Sequence, residues 1–159
     1  MTRVGVTGHR GLPQDTKHLV DEVLREVLKH LNDPNLIGIS CLADGADQLF
    51  AGAVLDLGGQ LEVVVPARRY RDSLDLPGER QAYDELFAKA SDVVRLSFDE
   101  SSEESHLTAG QHIVATNDLL IAIWDGQPAR GQGGTADIVQ YAREQGVPTR
   151  IIWPEGAKR

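Results

Sequence analysis

Six short apolar runs recur along this chain, and a stretch with helical patterning separates each run from the next. The runs are rich in Val and Ile and mostly continuous rather than alternating, which is typical of strands covered on both faces. They occupy residues 3–6, 36–40, 61–65, 93–96, 119–124 and 149–153. Amphipathic stripes predict helices over residues 15–32, 46–57, 79–90, 106–116 and 135–145. The expected fold class is therefore α/β, with a doubly wound, mainly parallel sheet of about six strands and helices on both faces.

The length and composition predict one cytoplasmic domain over residues 1–159. A chain of 159 residues can bury one sizeable core and is too short for two ordinary domains. Cys41 is the only cysteine, so no intrachain disulfide can form, and no Cys/His spacing predicts a metal site. No run approaches the ~18 apolar residues of a membrane span, and the first strand begins at once, so we expect no membrane contact.

The charge balance argues against nucleic acid as a partner. The formal net charge is −8, whereas binding through many phosphate contacts needs a basic face. Arg68, Arg69 and Arg71 form a local basic cluster after the third predicted strand. Three arginines after a strand can equally be a solvated loop.

A glycine-rich loop joins the fifth predicted strand to the last predicted helix. The stretch 119–137 reads LLIAIWDGQPARGQGGTAD, and such a junction directs free backbone N–H groups and the positive end of a helix dipole toward one volume. The expected ligand contacts in this stretch are Gly126, Gly131, Gly133, Gly134 and Thr135; the alternative is a helix capped by Thr135. Gln132 and Gly133 stand where a P-loop needs Lys and Ser or Thr, which argues against ATP-driven phosphoryl transfer.

The first strand ends in a short polar turn, Thr7-Gly8-His9-Arg10. Gly8 allows close backbone approach to a ligand, Thr7 offers a hydroxyl, and Arg10 can pair with a phosphate in a two-pronged way. His9 can act as a proton donor, a hydrogen-bonding contact or a solvated side chain. The turn therefore predicts ligand contacts at these four residues, with a tight βα turn and an exposed arginine as the alternative.

Two carboxylates follow the second strand, in the segment Asp44-Gly45-Ala46-Asp47. Asp44 can cap the following helix and Asp47 can satisfy its first turn, which would explain both without a ligand. Alternatively, one of them holds a ribose hydroxyl while Gly45 keeps the surface open for close approach, since two carboxylates near an anion would repel it. Two other strand ends add predicted contacts of the same kind: Tyr70 and Trp124 as walls for a base, and Asp125 as a further ribose contact.

Three segments together resemble the SLOG superfamily, a Rossmann-like group that includes the YpsA-like proteins and the LOG-type phosphoribohydrolases. They are VTGHR at the start, LADGAD before the second helix and LLIAIWDG with GQGGTAD near the end. The resemblance covers nearly the whole chain and also extends to the Rossmann core of DNA-uptake proteins of the DprA kind. It implies a Rossmann-like fold with a nucleotide pocket at the strand ends, phosphate bound by Gly133, Gly134 and Thr135, and a homodimer.

The LOG-type signature PGGxGTxxE is only partly present. Arg130, Gln132 and Ile138 replace its Pro, its second Gly and its acid, and Asp137 lies one position early. The resemblance therefore favours binding over hydrolysis.

The leading hypothesis is a cytosolic protein that binds a nucleotide or nucleotide derivative and requires no cofactor. The alternative is a nucleoside 5′-monophosphate phosphoribohydrolase, in which Asp137 or Asp47 stabilises an oxocarbenium-like transition state. Ser101 and Ser102 have no His and Asp at a recognisable spacing, so the sequence does not support a serine nucleophile.

Overall fold

The computed structural model describes residues 1–129 and 134–159 of the chain. Within these residues six strands, β1 to β6, span Arg3–Gly8, Ile37–Ser40, Gln60–Ala67, Asp92–Phe98, Leu119–Ile123 and Thr149–Ile152. The α-helices of the same residues, α1 to α5, span Gln14–His30, Ala46–Asp56, Glu79–Phe87, Glu103–Thr116 and Thr135–Glu144. A short 3₁₀ turn over Arg71–Ser73 precedes α3.

The strands form one sheet in the order β4-β3-β2-β1-β5-β6, and every pairing is parallel. This confirms the predicted α/β fold class. The central strand β1 pairs with β2 on one side and with β5 on the other, so that Val4 lies beside both Gly38 and Leu119. The strand order reverses between β1 and β5, which is where open α/β sheets place a ligand crevice at their carboxyl edge.

The helices cover the two faces of the sheet in sequence order. Helices α1 to α3 pack on one face, and α4 and α5 pack together on the other, as right-handed crossovers require. Strand β3 lies inside the sheet and is buried throughout Leu61–Ala67, whereas the edge strand β4 is only partly covered. This burial explains why the apolar runs of the central strands are continuous rather than alternating.

Across residues 1–129 and 134–159 no helix is both long and apolar enough to pass through a membrane.

Candidate functional site

A cavity of about 130 Å³ lies at the carboxyl ends of β1, β2 and β3, on the face that α4 and α5 cover. Its walls combine aliphatic and polar side chains. Its polar or titratable lining residues are Thr7, Arg10, Cys41, Asp47, Tyr70, Ser73 and His106. Together with Gly8, which also lines it, the cavity brings together five of the predicted ligand contacts: Thr7, Gly8, Arg10, Asp47 and Tyr70.

Arg10 is held by Glu79, the first residue of α3. Its Nη2 donates to both carboxylate oxygens of Glu79, at 2.8 and 2.9 Å, and Glu79 is fully buried. The same carboxylate accepts hydrogen bonds from the backbone N–H groups of Asp44 and Leu76, at 2.8 and 3.2 Å. Burial works to lower the pKa of Arg10, but the hydrogen bond and charge of Glu79 outweigh it and raise that pKa. The predicted phosphate-binding arginine thus has a buried counterion of its own, which leaves little net charge for the cavity.

Asp44 ties the turn after β1 to the turn after β2. Its Oδ2 accepts a hydrogen bond from the backbone N–H of Gly11 at 3.1 Å, and its Oδ1 lies 3.5 Å from Nζ of Lys17. It does not cap α2, because Gly45 occupies the N-cap position and the cap has no side-chain hydrogen bond. Asp44 does not line the cavity, so its carboxylate serves the framework of the site.

Gly45 allows the first two turns to pack directly on each other. Its φ is +84°, a conformation that favours glycine, and a Cβ there would approach the carbonyl oxygen of His9 to 2.5 Å. The adjacent N–H of Ala46 donates to that same oxygen at 3.2 Å. The close approach predicted for Gly45 is therefore made to the protein's own backbone.

Asp47 projects into the cavity from the first turn of α2, and a rigid turn positions it. Buried Leu42 takes a positive φ of 62°, its N–H donates to Oγ of Ser40 at 3.0 Å, and that hydroxyl donates to the carbonyl of Asp47 at 3.1 Å. The carboxylate Oδ2 accepts a hydrogen bond from the N–H of Ala43 at 3.2 Å. Burial raises the pKa of Asp47 to about 7, against the opposing effects of the Ala43 hydrogen bond and the Arg10 charge. Asp47 is thus a cavity carboxyl that titrates near neutral pH.

Tyr70 and His106 also line the cavity. Tyr70 is 4% exposed, and burial raises the pKa of its hydroxyl well above the usual value. Its ring packs edge-on against His106, with centroids 6.0 Å apart. Within residues 1–129 and 134–159 no group forms a hydrogen bond with the Tyr70 hydroxyl. His106 accepts from or donates to Oγ of Ser101 at 2.7 Å, and burial followed by the charge of Arg10 lowers its pKa.

A second group of predicted contacts lies at the carboxyl ends of β1 and β5: His9, Trp124, Asp125 and Gly126. The N–H of Asp125 donates to Nε2 of His9 at 3.1 Å, and His9 is buried. The indole of Trp124 donates to the carbonyl of Gln127 at 2.8 Å, and Gly126 turns the chain with a φ of 82°. Burial works to raise the pKa of Asp125, but the Gln127 N–H and His9 outweigh it and lower that pKa. These residues stabilise one another at the switch point and do not line the cavity.

Helix α5 begins beside the cavity, because Ile138 in its first turn lines the cavity wall. Gly134 is the N-cap residue, with no side-chain cap, so the helix does not depend on Thr135 as a cap. Thr135 is buried at the first helical position, whereas Asp137 is exposed. The predicted contacts Gly131 and Gly133 lie outside the described residues.

Sequence reasoning missed two residues of this site, Glu79 and His106. Glu79 was only the first residue of the helix predicted over residues 79–90, and its carboxylate was given no role. His106 was placed at the beginning of a helix, with no sign of a serine partner. The contact between His106 and Ser101 corrects the expectation that no histidine partners these serines, although no carboxylate completes a triad among the described residues.

Solved structures with this fold include two DNA-processing proteins. DNA processing protein A (DprA) from Streptococcus pneumoniae superposes with a TM-score of 0.69 at 18% identity, covering 98% of this chain and 52% of its own. DprA from Helicobacter pylori, described in a single-stranded DNA binding mode, gives 0.66 at 16% identity and covers 99% and 68%. TM1055, a structural genomics target, gives 0.60 at 19% identity and covers 94% and 72%. This chain thus spans about half of the S. pneumoniae protein.

These similarities define the fold class as Rossmann-like α/β. No family model matches the chain. No curated protein matches it in sequence.

The expectation that the acidic charge argues against nucleic acid is wrong. The H. pylori protein has this fold and binds single-stranded DNA. The inference failed because net charge describes the whole surface, whereas binding depends on the local arrangement of charges and aromatic groups.

Proposed function

We propose that this protein binds a nucleotide or nucleotide derivative at the carboxyl edge of its sheet. The observation that carries the proposal is the convergence of Thr7, Gly8, Asp47 and Tyr70 on one cavity whose wall includes the first turn of α5. The cavity combines apolar side chains with polar groups from several parts of the chain, and small-molecule sites likewise use convergent polar groups in a concave, partly apolar setting. It lies beside the switch point, where α/β sheets bind ligands.

The start of α5 is the better phosphate position within this proposal. Arg10 already pairs with buried Glu79, whereas the first N–H groups of α5 have no side-chain cap. Free amides and the helix dipole favour an anion at such a position. A ligand with its phosphate near Thr135 would direct its remainder past Ile138 into the cavity.

Calorimetric titration tests the proposal with nucleoside monophosphates, the matching nucleosides and ADP-ribose. We expect saturable heat for at least one phosphorylated ligand and a higher melting temperature in its presence. No heat and no thermal shift across the panel would refute the proposal.

A pair of variants at Thr135 separates its backbone N–H from its hydroxyl. Thr135→Pro removes one amide donor at a helix position that tolerates proline, and Gly134 before it already has extended backbone. Thr135→Val keeps the amide and removes the hydroxyl. We expect Thr135→Pro to weaken monophosphate binding about tenfold while nucleoside binding stays unchanged, an effect worth about 1.4 kcal/mol.

A second candidate function is hydrolysis of the N-glycosidic bond of a nucleoside monophosphate. The observation that favours it is Asp47, a carboxyl whose pKa burial raises to about 7 inside the cavity, where it could act as an acid or base. Asp137, the other predicted catalytic carboxylate, is exposed. Chromatography would detect free base after incubation with monophosphates, and a lack of release at high protein concentration would exclude this activity.

Single-stranded DNA belongs in the same panel. Arg68, Arg69 and Arg71 are exposed near the end of β3, and each has a carboxylate partner: Asp99, Glu100 and Asp84 respectively. If an oligonucleotide binds, a steep loss of affinity with salt would indicate phosphate contacts. Binding of the oligonucleotide without binding of any mononucleotide would redirect the proposal to a nucleic-acid function.

A further inference from the structure

We infer that the cavity is the base subsite of the ligand, and that Asp47 selects a nucleobase with an exocyclic amino group. This inference rests on the proposed nucleotide-binding function and names the part of the ligand that the cavity would take. It makes Asp47 a specificity-determining residue.

The cavity suits a neutral ring better than a phosphate. The aliphatic part of its wall includes Val6, Pro66 and Ile113, and Arg10, the arginine among its described lining residues, is neutralised by Glu79. A volume of about 130 Å³ corresponds to roughly four water molecules. That space suits a single heteroaromatic group and is too small for a whole nucleotide.

Two polar atoms at the cavity lack partners in residues 1–129 and 134–159. Oδ2 of Asp47 accepts the Ala43 N–H, but Oδ1 forms no hydrogen bond there. The hydroxyl of Tyr70, a residue only 4% exposed, is likewise without a partner in that part of the chain. Neither atom is sealed from solvent, since the unpartnered buried polar side-chain atoms of the described residues belong to Asn117. A ligand that displaces water from the cavity and pairs with both atoms would gain affinity, and one that displaces the water without pairing would leave them unsatisfied. A carboxylate acceptor and a phenol hydroxyl that line one cavity match the mixed donors and acceptors on the edge of a base.

The carboxylate oxygen determines which base fits. Oδ1 of the ionised form can only accept, so an amino group satisfies it, whereas a carbonyl in the same place would set two oxygens against each other. Sites built around one hydrogen bond reject an analogue that cannot form it, because a buried group is then left unpaired. Since burial raises the pKa of Asp47 to about 7, the preference should strengthen as the pH rises above neutral.

Matched ligand pairs test the inference: AMP against IMP, and CMP against UMP, each titrated into the whole chain above and below neutral pH. We expect the amino-bearing member to bind about tenfold more tightly above neutral pH, and this ratio to shrink below it. In Asp47→Ala the ratio should fall to about one.

Asp47→Asn keeps the volume and an acceptor for the Ala43 N–H, but its amide can also donate to a carbonyl. This variant should bind IMP more tightly than the unmodified protein does, a gain that a merely structural role for Asp47 would not produce. Asp56→Asn, the same substitution at the far end of α2, serves as the control and should leave the AMP:IMP ratio unchanged.

The outcomes separate this inference from the proposed function. If mononucleotides bind but the ratios are near one, or are the same in Asp47→Ala, the inference is overturned and the proposed function stands. The same holds if Asp47→Asn abolishes base release while leaving the ratios unchanged, which would place the carboxyl at the ribose. If no mononucleotide binds, both fail together.

Discussion

Of two concave regions in this molecule, the smaller one has the features of a functional site, although size alone would favour the larger one. The larger is a groove of about 700 Å³ between α1 and the amino ends of β5 and β6, and the smaller is the cavity of about 130 Å³ at the carboxyl edge. The groove has more charged lining residues, which are Glu22, Glu26, His30 and Arg150. Most of the interactions described for these four are between neighbours on α1, such as the ring of His30 with the carbonyl of Glu26 at 2.7 Å.

The cavity instead joins residues from distant parts of the chain. The Arg10–Glu79 contact spans 69 positions, and its carboxylate also holds the turn that leads to Asp47. Parallel strands bring several chain turns to one edge, so polar groups can converge there without a local sequence pattern. The comparison teaches that convergence of buried polar groups identifies the candidate site better than volume does.

Glu79→Gln should produce the largest change in the free energy of unfolding. The reason is that Glu79 forms the long-range hydrogen bonds that distinguish the cavity from the groove. Loss of the charge leaves Arg10 without its counterion and weakens the bonds to the Asp44 and Leu76 N–H groups. We expect the free energy of unfolding to fall by about 2 kcal/mol in urea titrations, because Glu79 is buried whereas the Arg10 side chain is 45% exposed and water can hydrate its charge. Glu85→Gln, at an exposed position of α3, should change it by less than about 0.5 kcal/mol. Equal losses of stability in Glu79→Gln and Glu85→Gln would show that Glu79 has no special role in stabilising the fold.

The free energy of unfolding should depend on pH through Asp47. The pKa of Asp47 is about 7 in the folded protein and near 3.8 in an unfolded chain, so between these values the folded state holds one more proton. Stability should therefore fall as the pH rises through this window, with a slope of up to about 1.4 kcal/mol per pH unit. Urea titrations of the unmodified protein and Asp47→Asn across the window would measure the difference. A difference that does not vary with pH would show that Asp47 is solvated.

Gly8→Ala tests how tightly the cavity floor is packed. A Cβ at Gly8 would collide with the side chain of Ala46 and approach the carbonyl oxygen of Ile123 to 2.9 Å. We expect a loss of about 1–3 kcal/mol, as for other overpacked interiors. Gly52→Ala in α2 meets no atom within 4 Å and should instead stabilise by about 0.5–1 kcal/mol. Equal changes in the free energy of unfolding for the two variants would show that close packing at the end of β1 does not require glycine at position 8.

The smallest effect should come from the groove. Replacing Glu26 and Arg150 together with Ala should change the free energy of unfolding by less than about 0.5 kcal/mol and leave nucleotide titrations unchanged. A loss of nucleotide binding comparable with that of Asp47→Ala would invert the comparison and move the candidate site to the amino edge.

The sequence predicted the sheet well because its signals are local. Each predicted strand overlaps an observed one, and the apolar runs identify the strands that are covered on both sides. The start of α4 was misplaced: it was predicted at residue 106, but the helix begins at Glu103. The reason is that Ser102 and Ser105 cap each other in place of the usual Ser and Glu pattern.

The candidate site was less predictable because its decisive contacts are long-range. The turns that carry Arg10 and Asp47 could be found from their position after strands, and both do line the cavity. Nothing near Arg10 in sequence indicates that Glu79 neutralises it, or that Asp44 holds Gly11 instead of capping α2. These contacts join residues that are far apart in sequence, and they depend on how the chain crosses the sheet. Local sequence patterns do not encode that path.

The reversal of strand order at β1 also bears on how this chain acquires its shape during synthesis. Strands β1 to β4 can pair one after another as they leave the ribosome, but the second edge of β1 must wait for β5, more than a hundred positions later. Until then the α4 and α5 wall is missing, and Tyr70 and the face of β3 stay open to water. We therefore expect the cavity at the carboxyl edge to be among the last parts to form, and an interrupted nascent chain to expose the apolar centre of its sheet to chaperones.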